Sequence, residues 1–381
     1  MNGITGARRG ERVLLCPGPV MLTPGVRAAL ADTTLGHRDA EFSALMRHLQ
    51  GSARRLFGAS TAHTVLFLGG PATAAIEATF ASLLAPEAHV LVPVNGAFGA
   101  RLVEILAVHR IAHTVIDFGF AQPYDLARIE AALDAQGTQR PTVLATTHHE
   151  TSAGLLNPVT RLGELAQRHG LRYIVDATSS AGVEDLDVQR DGIDACITAS
   201  GKCLHAAPGV GLVCVRRDWL AAPTPARTHS LDLRRFLAQF EANAQTPFTP
   251  PVPLIAALDR ALDELLDAGG VAERRRVYAR RRSLVEAGLT RLGLATLPLP
   301  AGASAHSLLS IAVPEGLAFE ALYADMKQRG YLIYACKAPL APHYFQLAVM
   351  GDLRDADLAG CLAALGELCD ESRARRAAAL A

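Results

Sequence analysis

Between about residues 64 and 215, short apolar runs alternate with amphipathic stretches, and this rhythm restricts the fold more than any other feature. Runs at 64–68, 89–94, 113–118, 142–148, 172–176, 194–199 and 210–215 have strand length. Several are apolar on both faces, as strands are when helices cover both sides of a sheet. Stretches at 101–109, 125–135 and 161–169 carry helical periodicity and lie between the runs. The alternation predicts an α/β domain built on a mainly parallel sheet.

After about residue 216 the rhythm changes. A proline-rich stretch, TPFTPPVPL at 246–254, precedes a long helical pattern over 254–292. The remainder reads as a smaller α+β unit. It has strands at 306–313, 331–335 and 344–349, a helix at 318–329, and a final helix beginning near Asp355. The expected organisation is an N-terminal segment at 1–20, a large α/β domain at 21–255 and a small α+β domain at 256–381.

Half of the 381 residues are hydrophobic, which excludes disorder throughout. Lys+Arg and Asp+Glu balance at 37 each, so no basic footprint for nucleic acid is expected. The arginine clusters at 274–276 and 280–282 read as a solvated helix face. Seven scattered cysteines lack paired metal-ligand spacing and suit free thiols in a reducing compartment. No apolar run reaches the ~20 residues of a membrane span. A soluble protein of the cytoplasm, bound to neither membrane nor metal, is the expectation.

Ligands of open parallel sheets bind at the carboxyl ends of strands. After 64–68 comes Gly69-Gly70-Pro71-Ala72-Thr73, opening an apolar helix. Such a turn offers backbone N–H groups and a positive dipole end to an anion, although glycine also serves tight turns for steric reasons alone. The run 172–176 ends in Asp176, followed by Thr178-Ser179-Ser180. That carboxylate suits either a helix cap or a counter-charge to a cation. One run later, Lys202 sits in a turn of small residues, and it is one of only three lysines. A lysine there is either solvated or placed for Schiff-base chemistry.

The ordered set of glycine-rich turn, NGAFGAR, HHETSAG, IVDATSS and SGK resembles the class V aminotransferases, which are fold-type I pyridoxal-phosphate (PLP) enzymes. The likeness extends to LLCPGPVMLTPGVRAAL at 14–30, GHRDAEF at 36–42, FTPPV at 248–252, LIYACK at 332–337 and FQLAVMGDL at 345–353. It implies a fold-type I enzyme with PLP as cofactor. Lys202 would hold PLP as a Schiff base and then move the proton, while Asp176 would pair with the ring nitrogen. Phe98 would stack on the ring, and Thr151 would bond near the phenolic oxygen. Gly70, Ala72, Thr73 and Ser200 would hold the phosphate, with the partner subunit's Thr249 completing the site in a homodimer. The implied reaction moves an amino group from a small amine, 2-aminoethylphosphonate favoured, to pyruvate or a similar 2-oxo acid. A serine- or alanine–glyoxylate transaminase, or a lyase on another small amine, is the alternative. A non-catalytic binding protein is more remote, because neither Lys202 nor Asp176 is needed for a stable fold.

The chain departs from the family pattern in the phosphate turn, where Pro71 supplies no N–H and Ala72 no hydroxyl. Gly201 stands where Asn or Gln is common. Gln346 stands where the family carries an arginine that clamps the substrate's acid. Losing such a contact typically costs ~2–5 kcal/mol of binding. Either Arg38, Lys337 or His343 then supplies the missing charge beside Gln346, or the substrate is not the family's usual pair.

Overall fold

A computed structural model describes residues 12–134 and 140–380. Residues 1–11 of the expected N-terminal segment, and Ala135 at the end of the helix expected over 125–135, lie outside the described residues.

Seven strands form the central sheet in the order His63–Gly69, Val210–Arg216, Ala195–Ala199, Arg172–Asp176, Val143–Thr147, His89–Val94 and Ala112–Asp117. Val210–Arg216 runs antiparallel to both its neighbours, and the other pairs are parallel. Alternate residues enter different apolar layers, because successive side chains leave a strand on opposite faces. Phe67, Leu91, Leu144 and Val175 join one layer with Phe42, Leu162 and Leu258. Leu66, Val90, Ile174 and Ile197 join the other with Ile76, Phe80 and Leu102. Each such side chain contributes roughly 1.5–3 kcal/mol when fully buried.

This parity positions the chemistry. Asp176 lies two residues beyond Ile174 and shares its face. That face is covered by the helices Ala72–Leu83 and Ala97–Val108.

The helical pattern over 254–292 is two helices, Val252–Asp267 and Gly270–Leu292. Gly269 and Gly270 separate them with φ of 104° and 76°, a left-handed backbone that glycine accepts without a Cβ clash. Ile255, Leu258 and Leu262 of the first pack into the large core, whereas Tyr278 and Val285 of the second pack into another. The change of core therefore falls at the glycine pair rather than at 255/256, which lies inside the first helix.

The second core is closed by a three-stranded antiparallel sheet in the order Leu308–Ala312, Tyr344–Ala348, Tyr334–Ala335, together with Asp355–Leu380. The expected strand at 331–335 divides between two sheets, its first half, Tyr331–Leu332, pairing in parallel with Val13–Leu14. Val13, Leu15 and Val20 join the same core, so the early chain packs on the C-terminal unit. Among the described residues, no helix is long and apolar enough to cross a membrane.

Candidate active site

The helix Ala72–Leu83 begins at Gly70, whose φ of 142° suits glycine, and at Pro71, its N-cap. The Ala74 and Ala75 amides turn back to the Pro71 carbonyl at 3.0 and 3.4 Å. Ala72 and Thr73 stand ahead of them in the open first turn, where helix amides have no intrahelical acceptor.

The second helix over this face, Ala97–Val108, is capped from a distant loop. Buried Glu150 accepts hydrogen bonds from the Phe98 and Gly99 amides at 3.0 and 2.9 Å, and also from the Ser152 hydroxyl. Burial raises its pKa, and these donors oppose the rise. A Cβ on Gly96 would fall 2.4 Å from Glu150 Cδ, so glycine is required for this approach. HHETSAG thus seats the helix start in NGAFGAR that displays Phe98.

Asp176 is 2% exposed. Its Oδ1 accepts from Thr178 N at 3.0 Å and Thr178 Oγ1 at 2.5 Å. Its Oδ2 accepts from Arg101 Nη2 at 2.7 Å. Arg101 also donates from Nη1 to Thr73 Oγ1 at 3.3 Å, and its guanidinium carbon lies 4.9 Å from the Phe98 ring centroid. One arginine therefore touches the helix start, the aromatic ring and the strand-end carboxylate.

Lys202 is partly buried, and desolvation lowers its pKa. Its Nζ donates to the Pro17 carbonyl. Gly18, at φ 101°, leaves the room for this: a Cβ there would lie 2.8 Å from Nζ. A Cβ on Gly201 would lie 2.7 Å from Pro208 Cβ, which gives the absence of Asn or Gln there a steric reason.

These groups line one cavity of about 470 Å³. Lys202, Asp176, Phe98, Gly70, Ala72, Thr73 and Thr151 are all in its wall. Ser200 is not; its hydroxyl donates to Ala207 O at 2.6 Å and accepts from Val210 N at 3.2 Å, closing the turn before Lys202. Gln346, 5% exposed, donates to the Thr151 carbonyl and braces the loop rather than lining the cavity. Exposed Arg38 lies outside the wall too, clasping the Thr246 carbonyl at 2.7 Å. Lys337, His343 and Thr249 are exposed and likewise outside it.

Arg101, Glu150, His149 and Gly18 are site residues that sequence reasoning does not single out. For Arg101 a signal exists: it follows Phe98 by three residues, one helical turn on the same face. His149 is 2% exposed in the wall, and burial lowers its pKa to about 4. Among the described residues, three buried polar atoms of wall residues lack a hydrogen-bond partner: Arg101 Nε, Thr147 Oγ1 and His149 Nε2. Native proteins leave few such atoms unmet, and here they mark a wall shaped for a polar ligand.

A strand-end cavity holding a partly buried lysine and a buried carboxylate defines a lysine-centred α/β enzyme site. The chain belongs to the class V aminotransferases: that family's sequence model matches residues 27–349. The 2-aminoethylphosphonate–pyruvate transaminase of Burkholderia mallei (strain SAVP1) is 37% identical over 359 residues, covering 93% of this chain and 96% of that protein. The solved alanine–glyoxylate aminotransferase of Nostoc sp. superposes with a TM-score of 0.87 at 25% identity, covering 96% of this chain and 97% of its own. The Thermus thermophilus aspartate aminotransferase of subgroup IV gives 0.85 at 27%, covering 94% and 99%. The fold is that of the fold-type I PLP enzymes, and the chain is an aminotransferase of that fold.

Proposed function

We propose that this enzyme uses PLP to move the amino group of 2-aminoethylphosphonate to pyruvate or a similar 2-oxo acid, acting as a cytoplasmic homodimer. The observation that carries the reading is that Lys202 and Asp176 line one cavity with the open helix start at Ala72 and the Phe98 ring. The cavity suits the cofactor: it joins an anion-binding helix end, an aromatic face, a buried carboxylate, a desolvated amine and unmet polar atoms.

PLP, when bound, supplies an aldehyde for amine exchange and a ring that withdraws electrons from the substrate carbon. Lys202 Nζ is the attachment amine, and desolvation favours its uncharged, nucleophilic form. The same nitrogen would move the proton at the substrate carbon. Asp176, fixed by Thr178 and Arg101, would hold a proton at the ring nitrogen. Phe98 would cover a ring face, Thr151 would bond near the phenolic oxygen, and the first turn at Ala72 and Thr73 would hold the phosphate. Thr249 is exposed and outside the wall of its own subunit's cavity, as a residue completing a partner's site would be.

The substrate reading is supported by the Burkholderia relative. A serine- or alanine–glyoxylate reaction is the second reading, favoured by the Nostoc likeness. Single-turnover spectra of loaded enzyme decide between them. 2-Aminoethylphosphonate should convert the cofactor to its amine form, and pyruvate should restore it. Conversion by alanine or serine alone would favour the second reading.

A further inference from the structure

We propose that His149 Nε2 receives the substrate's acidic group together with a proton, so that the site selects an acid able to bring one, as a phosphonate can. The inference rests on the aminophosphonate reading above and names how the acid is recognised.

His149 Nδ1 lies 3.1 Å from the Ser179 carbonyl and 3.4 Å from Ser307 Oγ. A carbonyl can only accept, so Nδ1 carries the ring hydrogen and Nε2 of the neutral ring is a bare acceptor. That Nε2 is buried and lacks a partner among the described residues. The terminal nitrogens of Arg101 are engaged by Thr73 and Asp176, which leaves its Nε, and Lys202 is the attachment amine. Arg38, Lys337 and Gln346 are outside the wall. Among the described residues of the wall, His149 Nε2 and Arg101 Nε are thus the unpartnered side-chain nitrogens, and of the two only His149 Nε2 can accept a proton.

The groups around the ring keep it neutral. Burial lowers its pKa to about 4; Glu184 opposes that shift, while Lys202 and Arg282 add to it. Glu184 is itself held by His306, at 2.8 Å from N and 2.7 Å from Nδ1. Arg282 is held by Glu286 at 2.9 Å and Leu308 O at 3.1 Å. Neighbouring His148 is also neutral, burial lowering it to about 4. A neutral ring offers a lone pair, which repels a fully ionised carboxylate or sulfonate. A phosphonate's second pKa lies above that of a phosphate monoester, about 6, because carbon replaces the ester oxygen, so near neutrality it can arrive with a P–O–H that donates to Nε2. One proton is then shared between oxygen and nitrogen, and no bond to phosphorus changes.

The test is calorimetric binding of ethylphosphonate and ethanesulfonate to the PLP-loaded enzyme at ~pH 8, in two buffers of different ionisation enthalpy. Wild type should take up protons on binding ethylphosphonate, in proportion to the fraction of free ligand present as dianion, and bind it at least about tenfold more tightly than the sulfonate. His149→Ala should lose both the uptake and the preference. The bulkier His149→Gln, a guard against misfolding, should bind without proton uptake. Ethylphosphonate binding without proton uptake in wild type, or uptake unchanged in either variant, overturns the proposal. If 2-aminoethylphosphonate fails to convert the cofactor while alanine or serine succeeds, the substrate reading falls and takes this inference with it. If it is turned over while His149→Ala changes neither uptake nor preference, only the role of His149 falls.

Discussion

Arg101 donates to Asp176 across 2.7 Å, joining a side chain of the helix Ala97–Val108 to the end of the strand Arg172–Asp176. With Thr178 on the other carboxylate oxygen, Asp176 is fixed from two sides within a buried wall. Breaking a buried pair by removing one partner leaves an uncompensated charge, at a cost of about 3–5 kcal/mol. Arg101 retains 20% side-chain exposure, so the lower end applies. Arg101→Met should lower the thermal midpoint of apoenzyme clearly, and Arg101→Lys should recover part of the loss. An unchanged midpoint in Arg101→Met would mean that the pair does not hold the carboxylate.

Asp176→Asn should retain the cofactor and lose turnover by roughly 10²-fold or more, because an amide cannot hold the ring nitrogen protonated. Steady-state rates beside cofactor absorbance separate the two effects. Near-normal turnover would remove Asp176 from this role.

Gly18→Ala should impair cofactor capture without abolishing the fold. Alanine at φ 101° is strained by about 1–3 kcal/mol, and its Cβ would press on Lys202 Nζ. Stopped-flow loading of apoenzyme should slow relative to wild type. Loading at the wild-type rate would show that Gly18 does not set the position of the amine.

Burial lowers the Lys202 pKa below the ordinary lysine range, so its uncharged, attacking form appears at lower pH than for an ordinary lysine. The capture rate of apoenzyme should rise with pH through this lowered pKa and level off before the ordinary lysine range. A rise continuing through that range would contradict the desolvation of the amine.

The strand–helix rhythm is legible because burial on both faces forces apolar runs, and a charge ending such a run stands out. Asp176 and Lys202 are visible for that reason. Arg101 escapes because its partner lies 75 residues away and the contact depends on which helix face meets the sheet. Ser200 shows a different limit: a serine beside a binding turn looks like a ligand, yet its hydroxyl closes the turn internally. Gln346 is similar, since residue type marks the lost arginine but not the turn of its amide to Thr151. The break between Val252–Asp267 and Gly270–Leu292 is visible as a glycine pair but hidden within continuous helical periodicity.

If the partner subunit's Thr249 completes the phosphate site, Thr249→Ala should weaken cofactor retention, and activity should fall on dilution as dimers separate. Light scattering run beside activity tests this. A fully active monomer would contradict the shared site.

The central claim is that Lys202 is the attachment amine. Borohydride reduction of PLP-loaded enzyme, followed by peptide mass analysis, tests it most directly. The account predicts one reduced cofactor on the peptide containing Lys202, and none in Lys202→Ala. Label on Lys327 or Lys337 instead, or no cofactor uptake by wild type, would contradict it.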